Sequence, residues 1–348
     1  MRVFTTLPQE DLRKVGPAAR AIEADGYDGV HSMENKHDPF LALAVAGAAT
    51  ERIELHTSVA IAFARTPMAV AEVGWDLAGA TGGRFVLGLG SQVRAHNERR
   101  FSVPWTPPAP RMREYVQVLR AIWHCWKTGE RAGYEGQHYR FTLMTPNFAP
   151  EPIDAPPPAV TIAAVGPAML KVAAEECDGV KLHGFCTRRY IEKAVMPRLA
   201  EGLAKAGRKR ENYEISGGGF LATGPDHATV ARMFEWVRER VAFYGSTQAY
   251  WPVLAPHGLE DLGRKLNAMT RQGRWTEMAK EVPDDVVHLF AAIRYDQIVN
   301  AIAERFGGLT DALNARPNAA QPGPLPRDLI QDIRRIPHAF HGFRLADA

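Results

Sequence analysis

Five short segments carry residues whose types and spacing could do chemistry. Met33-Glu34-Asn35-Lys36-His37-Asp38 sets a carboxylate, an amide and an imidazole side by side, a set able to recognise a polar substrate and move a proton. The same stretch also suits a helix start, with Asp38 as cap and Glu34 favoured by the helix dipole. Leu87-Gly88-Leu89-Gly90-Ser91-Gln92-Val93 offers glycines for close backbone approach. Gln92 and Asn97 beyond it suit the polar edge of a heterocycle. Arg94, Arg99 and Arg100 either screen phosphates or stay solvated. Thr57-Ser58-Val59-Ala60 is small enough for a planar ring to lie against the backbone. Ala163-Ala164-Val165-Gly166-Pro167-Ala168 runs into a helix whose first amides and dipole suit an anion, although many barrel turns look alike. Finally, Lys181-Leu182-His183-Gly184-Phe185 carries an imidazole that is either a substrate-facing acid or a structural histidine.

Other chemistries find less support. The 12 histidines include no HExxH pair, and His338 and His341 have no carboxylate between them, so no metal is expected. No GxSxG elbow points to a hydrolase. A net charge of +3, without a basic stripe, is too weak to argue for nucleic acid. The 3 cysteines, Cys125, Cys177 and Cys186, form no CxxC pair and fit a reducing compartment. No apolar run reaches the ~18 residues of a membrane span, and the N-terminal residues, charged by Glu10 and Asp11, do not read as a secretory leader. The expectation is a cytoplasmic protein with a small-molecule substrate and neither a nucleic-acid nor a membrane partner.

The elements that must position these segments follow from the apolar periodicity. Strands are expected at 2–6, 29–33, 53–59 and 84–88, alternating with helices at 11–24, 38–49 and 67–80. A long loop at 91–110 precedes an amphipathic helix at 112–126. Residues 129–158, rich in Gly, Pro and aromatics, read as an excursion containing a hairpin. The alternation resumes with strands at 160–164, 179–183 and 213–222 and helices at 168–177, 190–206 and 228–241. After an insertion at 243–282 come a helix at 295–306, an eighth strand at 309–313 and a last helix at 328–333. Strands alternating with helices predict a (β/α)8 TIM barrel with insertions, as one domain over 1–335 with a tail at 336–348. No GxGxxG follows the first strand, which disfavours an open Rossmann-like sheet. In a barrel all five segments fall at the strand ends where active sites form.

In chain order these segments resemble the luciferase-like monooxygenase superfamily, and within it the coenzyme F420-dependent oxidoreductases. The resemblance spans about residues 1–315. It rests on Gly26-Tyr27-Asp28-Gly29-Val30, Glu34 with His37-Asp38-Pro39-Phe40, Thr50-Glu51-Arg52-Ile53-Glu54-Leu55, Arg65-Thr66-Pro67, Gly83 through Gly90, and the Val165-Gly166-Pro167 turn with Ala174 through Gly179. It is closest to an uncharacterised actinobacterial-type subgroup with Gly90-Ser91-Gln92-Val93 and His96-Asn97.

The resemblance implies a luciferase-like barrel with a late insertion, and a cis peptide at Ser58–Val59 bulging against the cofactor ring. It places Glu34, Ser58, Val59, Gln92, Val93 and Asn97 near the ring or its chain, and Gly166, Pro167 and Ala168 near the phosphate. Where the family's sugar-phosphate dehydrogenases carry Asp-His, this chain reads Glu34-Asn35, and Arg94 stands where they place an acid. Sugar-phosphate oxidation is therefore not expected, and His37, Glu34 and His183 remain the catalytic candidates. Phe63, Val59 and Trp75 or Trp105 would form an apolar floor. The expected activity is hydride exchange between F420 and a small organic substrate. The alternatives are an FMN-dependent monooxygenase and a noncatalytic flavin- or deazaflavin-binding protein. Family habit suggests a homodimer.

Overall fold

The structure, a computed structural model, describes residues 1–294, 296–315 and 323–343. Its centre is a ring of parallel strands: β1 (Arg2–Thr6), β2 (Gly29–Ser32), β3 (Glu54–Thr57), β4 (Phe85–Gly90), β5 (Ala159–Ala164), β6 (Gly179–Leu182), β7 (Glu214–Gly217) and β8 (Ala312–Asn314). Neighbours pair in the order β3-β2-β1-β8-β7-β6-β5-β4. Leu55 and His56 of β3 then pair with Phe85 and Val86 of β4, which closes the ring. The fold is a (β/α)8 barrel, as the alternation predicts.

Local chemistry explains the helix starts. Asp11 accepts from the Arg13 amide at the head of α1 (Leu12–Asp25), Asp38 from Phe40 and Leu41 at α2 (Pro39–Ala49), and Thr66 from Ala69 at α3 (Pro67–Thr81). The outward residues of the strands, among them Val3, Val30, Leu55, Leu87, Val160, Ile162, Val180 and Ile215, are fully buried beneath this helical layer. Their burial is the main hydrophobic contribution to the barrel. The inward residues differ in kind: Arg2, Glu54, His56, Lys181 and Glu214 form a polar cluster where barrels more often stack branched aliphatics.

Several elements depart from expectation. The segment 91–110, read as loop, holds the helix α4 (Arg94–Arg100), whose charged sequence shows no apolar stripe because only Asn97 of its residues is buried. It is followed by α5 (Pro108–Thr128). The expected strand 213–222 is two strands. Gly217 and Gly218, with φ of 82° and 95°, turn the chain away after β7. Phe220–Ala222 then pairs with Ala291–Ile293, a strand the sequence did not suggest, in a small parallel sheet apart from the barrel. The excursion contains the antiparallel pair Tyr134–Glu135 and Arg140–Phe141. After α6 (Pro167–Glu176), a helical run from Arg188 passes through a wide turn at Ile191–Val195 into α7 (Met196–Lys205). The helix α8 (His227–Gly245) packs on Trp275–Glu281, Asp284–Phe290 and Glu260–Arg271. The helix expected from Tyr295 begins at Ile298, with Tyr295 itself outside the described residues, as is the end of the tail, 344–348.

Candidate active site

β3 ends in a bulge. The Ser58–Val59 peptide is cis, and the strand direction resumes only at Ala60–Ile61. The Ser58 amide donates to the Ser32 carbonyl at 2.7 Å, and the Val59 carbonyl accepts from the Glu34 amide at 3.3 Å. Val59 projects toward β4: a Cβ on Gly90 would lie 2.6 Å from Val59 Cγ2 and 4.0 Å from the Ala163 Cβ. Glycine at 90 is what leaves room for Val59 over β4, with Ala163 on its other side. The result is a small, apolar floor made by three strand ends.

Glu34 straps this floor from the side. One carboxylate oxygen accepts from the Ile61 amide at 2.7 Å and from Arg65 Nη1 at 2.6 Å. Arg65 also reaches Asp38 at 2.9 Å and lies over the Phe40 ring. Asp38 thus serves both as cap and as ion-pair partner. His37 is exposed, and Asn35 offers its carbonyl to Arg100 at 2.7 Å.

The loop after β4 is shaped by its own polar residues. Gln92 has φ 56°, and its side-chain oxygen accepts from the Val93 amide at 2.8 Å. Val93 is left 48% exposed, an apolar side chain facing open space beside the mouth. Buried Asn97 donates to the carbonyls of Ser91 and Val93, at 2.9 and 3.2 Å, while its Oδ1 has no partner among the described residues. Across the mouth, a Cβ at Gly166 would meet no atom of the described residues within 4 Å. The first helical bond of α6 runs from Leu170 N to Gly166 O, so the Ala168 and Met169 amides precede it. Tyr190 anchors the turn by donating its hydroxyl to the Val165 carbonyl at 2.6 Å, and burial pushes that phenol up to about 12.

His183 follows β6 and meets the insertion. Its ring lies 4.4 Å from Tyr244 and 4.9 Å from Tyr250 by centroid, and neighbouring Phe185 stacks on Phe290 at 4.5 Å. The Phe185 amide donates to Nδ1 at 2.9 Å, which leaves the ring proton on Nε2. Burial pulls the imidazole down to about 4. It is a neutral N–H donor throughout the ordinary pH range.

Of the apolar floor expected, Val59 is in place. Phe63 is buried beneath Arg111, whose guanidinium lies 4.4 Å from its ring centroid. Trp75 packs edge-on against Trp126 of α5 and donates to Glu151, so it stands in the helical layer and not at the mouth.

Two groups escaped the sequence reading. Gln9, just past β1, accepts from the Met33 amide at 2.9 Å while its Nε2 stays buried without a partner among the described residues. Inside the barrel, His56 Nε2 lies 2.7 Å from Glu54 and its Nδ1 lies 3.2 Å from Lys181 Nζ. Arg2 reaches both Glu54 and Glu214 at 2.6 Å. The legible signal was polar residues two apart in short strands (Glu54 and His56, Lys181 and His183), the spacing of one sheet face.

A family model described as luciferase-like monooxygenase matches residues 2–311. The chain belongs to the luciferase-like monooxygenase family. It is 44% identical to an uncharacterised protein of Mycobacterium tuberculosis over 312 residues, 89% of this chain and 92% of the relative. It is 26% identical to the 5,10-methylenetetrahydromethanopterin reductase of Archaeoglobus fulgidus over 324 residues, 90% of this chain and 91% of that one. Among solved structures, the coenzyme F420-dependent tetrahydromethanopterin reductase of Methanopyrus kandleri superposes with a TM-score of 0.74 at 19% identity, over 96% of this chain and 97% of that one. That luciferase-like fold places the floor, the α6 turn and His183 around one barrel mouth. Among the described residues no helix is long and apolar enough to cross a membrane.

Proposed function

We propose that this luciferase-like chain is an F420-dependent oxidoreductase acting on a small organic substrate. The observation that carries the reading is the floor of Val59, Gly90 and Ala163, a flat apolar seat at the strand ends where barrels do their chemistry. Its fit to a deazaflavin is supported by the open turn at Gly166, by the Oδ1 of Asn97 and Nε2 of Gln9, which have no partner among the described residues, and by a Mycobacterium tuberculosis relative, 30% identical over 295 residues, that is named a putative coenzyme F420-dependent oxidoreductase. When bound, such a coenzyme accepts or donates a hydride at its central ring.

The chain's own residues do the rest. Val59 and Ala163 would face the ring, and the Gly166–Ala168 turn would take the anionic tail on its amides. Glu34 holds the Ile61 backbone and Arg65, so it acts by fixing the floor. His183 offers Nε2–H as a neutral donor to a substrate oxygen, and the tyrosines of the insertion limit water beside it. The exposed position of His37 gives it no comparable role.

Titrating the purified protein with F420 and, separately, with FMN by fluorescence tests the cofactor. The expected result is saturable F420 binding that FMN does not displace at equal concentration. Tight FMN binding with no response to F420 overturns the assignment.

A further inference from the structure

The polar cluster in the barrel interior is ordered along the axis. Glu54 and Glu214 are the first residues of β3 and β7, and Arg2 is the first of β1. Both carboxylates bind that one guanidinium at 2.6 Å, at the end of the barrel away from the mouth. Lys181 stands nearer the mouth. Its backbone is in register with Ala163 of β5 and Ser216 of β7, and Ala163 lies beside the Val59–Gly90 contact. From there its side chain crosses the barrel. A Cβ on Gly88 would fall 2.6 Å from Lys181 Cε, and Nζ ends 3.2 Å from His56 Nδ1, two residues before the bulge.

An ammonium only donates, so Nδ1 of His56 accepts and its Nε2 keeps the proton, which it gives to Glu54 at 2.7 Å. His56 is therefore neutral, and burial together with the Lys181 charge pulls it down to about 3. The other groups facing Lys181 are His31 on β2, also held neutral by burial, Glu54 on β3, Glu214 on β7 and Arg2 on β1. Burial lowers Lys181 only to about 8, so it stays mostly charged at neutral pH. Negative charge is thus gathered at one end with Arg2, and a positive charge lies under the floor.

We propose that Lys181 is an electrostatic positioning residue: held beneath the Val59–Gly90–Ala163 floor by His56, its ammonium favours the anionic over the neutral form of the heterocycle bound above. This inference rests on the deazaflavin reading and assigns the floor a charge preference of its own. The same ammonium offsets the negative charge that accepting a hydride puts on the ring. A charge in a low-dielectric interior is felt well beyond contact distance.

The F420 chromophore carries an ionisable hydroxyl whose loss of a proton changes its visible absorbance, so the bound coenzyme reports the field directly. Absorbance is titrated against pH for free F420, for F420 on the wild-type protein and for F420 on Lys181→Met. The wild type should ionise the bound chromophore about one pH unit below the free one, a roughly tenfold preference for the anion. Lys181→Met should return the midpoint to the free value or above while still binding. A wild-type midpoint equal to or above that of free F420 overturns the proposal, and this comparison needs no variant should Lys181→Met fail to fold. Equal weakening of both protonation states in Lys181→Met also overturns it, since that is packing and not charge. Absence of F420 binding to the wild type sinks the functional reading itself; binding with unshifted ionisation sinks the Lys181 role alone.

Discussion

At the scale of single residues, two histidines show how one hydrogen bond decides what an imidazole can do. His56 is fully buried and His183 half-buried, and both are neutral, yet His56 is bonded through both ring nitrogens inside the barrel. His183 uses only Nδ1 to accept from a backbone amide. Its Nε2–H therefore remains for a ligand. We expect nitrogen-15 NMR of labelled protein to show His183 in the Nε2–H tautomer with no protonation above pH 5 and a midpoint near 4, assigned by the signal lost in His183→Asn. A midpoint near 6.5 would mean that the ring is solvated and could serve as an ordinary acid. The sequence placed His183 at a strand end but left both its roles open, because a tautomer is set by a neighbour two residues away in a turn whose shape no periodicity encodes.

At the scale of elements, the floor depends on a side chain that sequence reading took for a recognition group. Glu34 leaves β2 and ties the end of β3 to Arg65, which is half-buried and also paired with Asp38. Removing one partner of such a set leaves the other without its charge. Glu34→Ala should therefore cost about 2–3 kcal/mol in urea denaturation, and Glu34→Gln, which still accepts from Ile61, about half as much. The double-mutant cycle with Arg65→Ala should give a coupling of about 1–3 kcal/mol. Additive losses would show that the strap carries no cooperative energy. Regular elements were legible here, down to the cap at Asp38, because caps and apolar spacing are local. What stayed hidden was non-local. The break at Gly217–Gly218 depends on Phe220–Ala222 finding a partner at Ala291–Ile293, about 70 residues on. Helix α4 has no apolar stripe because it lies on the surface.

At the scale of the whole molecule, the eightfold alternation predicted a closed barrel, and the ring closes. Its polar interior was not foreseen, since short strands with polar residues two apart read equally well as half-exposed. That interior gives the fold an acid sensitivity with a definite sign. His31, His56 and His183 are each held below their ordinary value near 6.5, chiefly by burial. Below pH 6.5 the unfolded chain takes up protons at these sites and the native one does not, so the free energy of unfolding falls as pH falls. The loss continues to about 4 for His183 and about 3 for His56. Glu54, held near 2 in the fold despite its burial because Arg2 and His56 pair with it, adds a further loss only below the ordinary carboxylate range. Glu214, raised by burial, works in the opposite direction above that range, where the native carboxyl keeps a proton that the unfolded one has lost. Between pH 7 and 5 the histidines dominate, at up to about 2 kcal/mol each. Urea denaturation at the two pH values should show this fall. His31→Phe is the informative variant, because His31 stacks on Phe4 at 4.9 Å and its Nε2 has no partner among the described residues to lose. It should keep its stability at pH 7 and lose about 2 kcal/mol less than wild type on going to pH 5. A wild-type curve flat from pH 7 to 5, or the same fall in His31→Phe, would show that water reaches these rings and that the barrel interior is not the low-dielectric channel on which the charge placement beneath the floor depends.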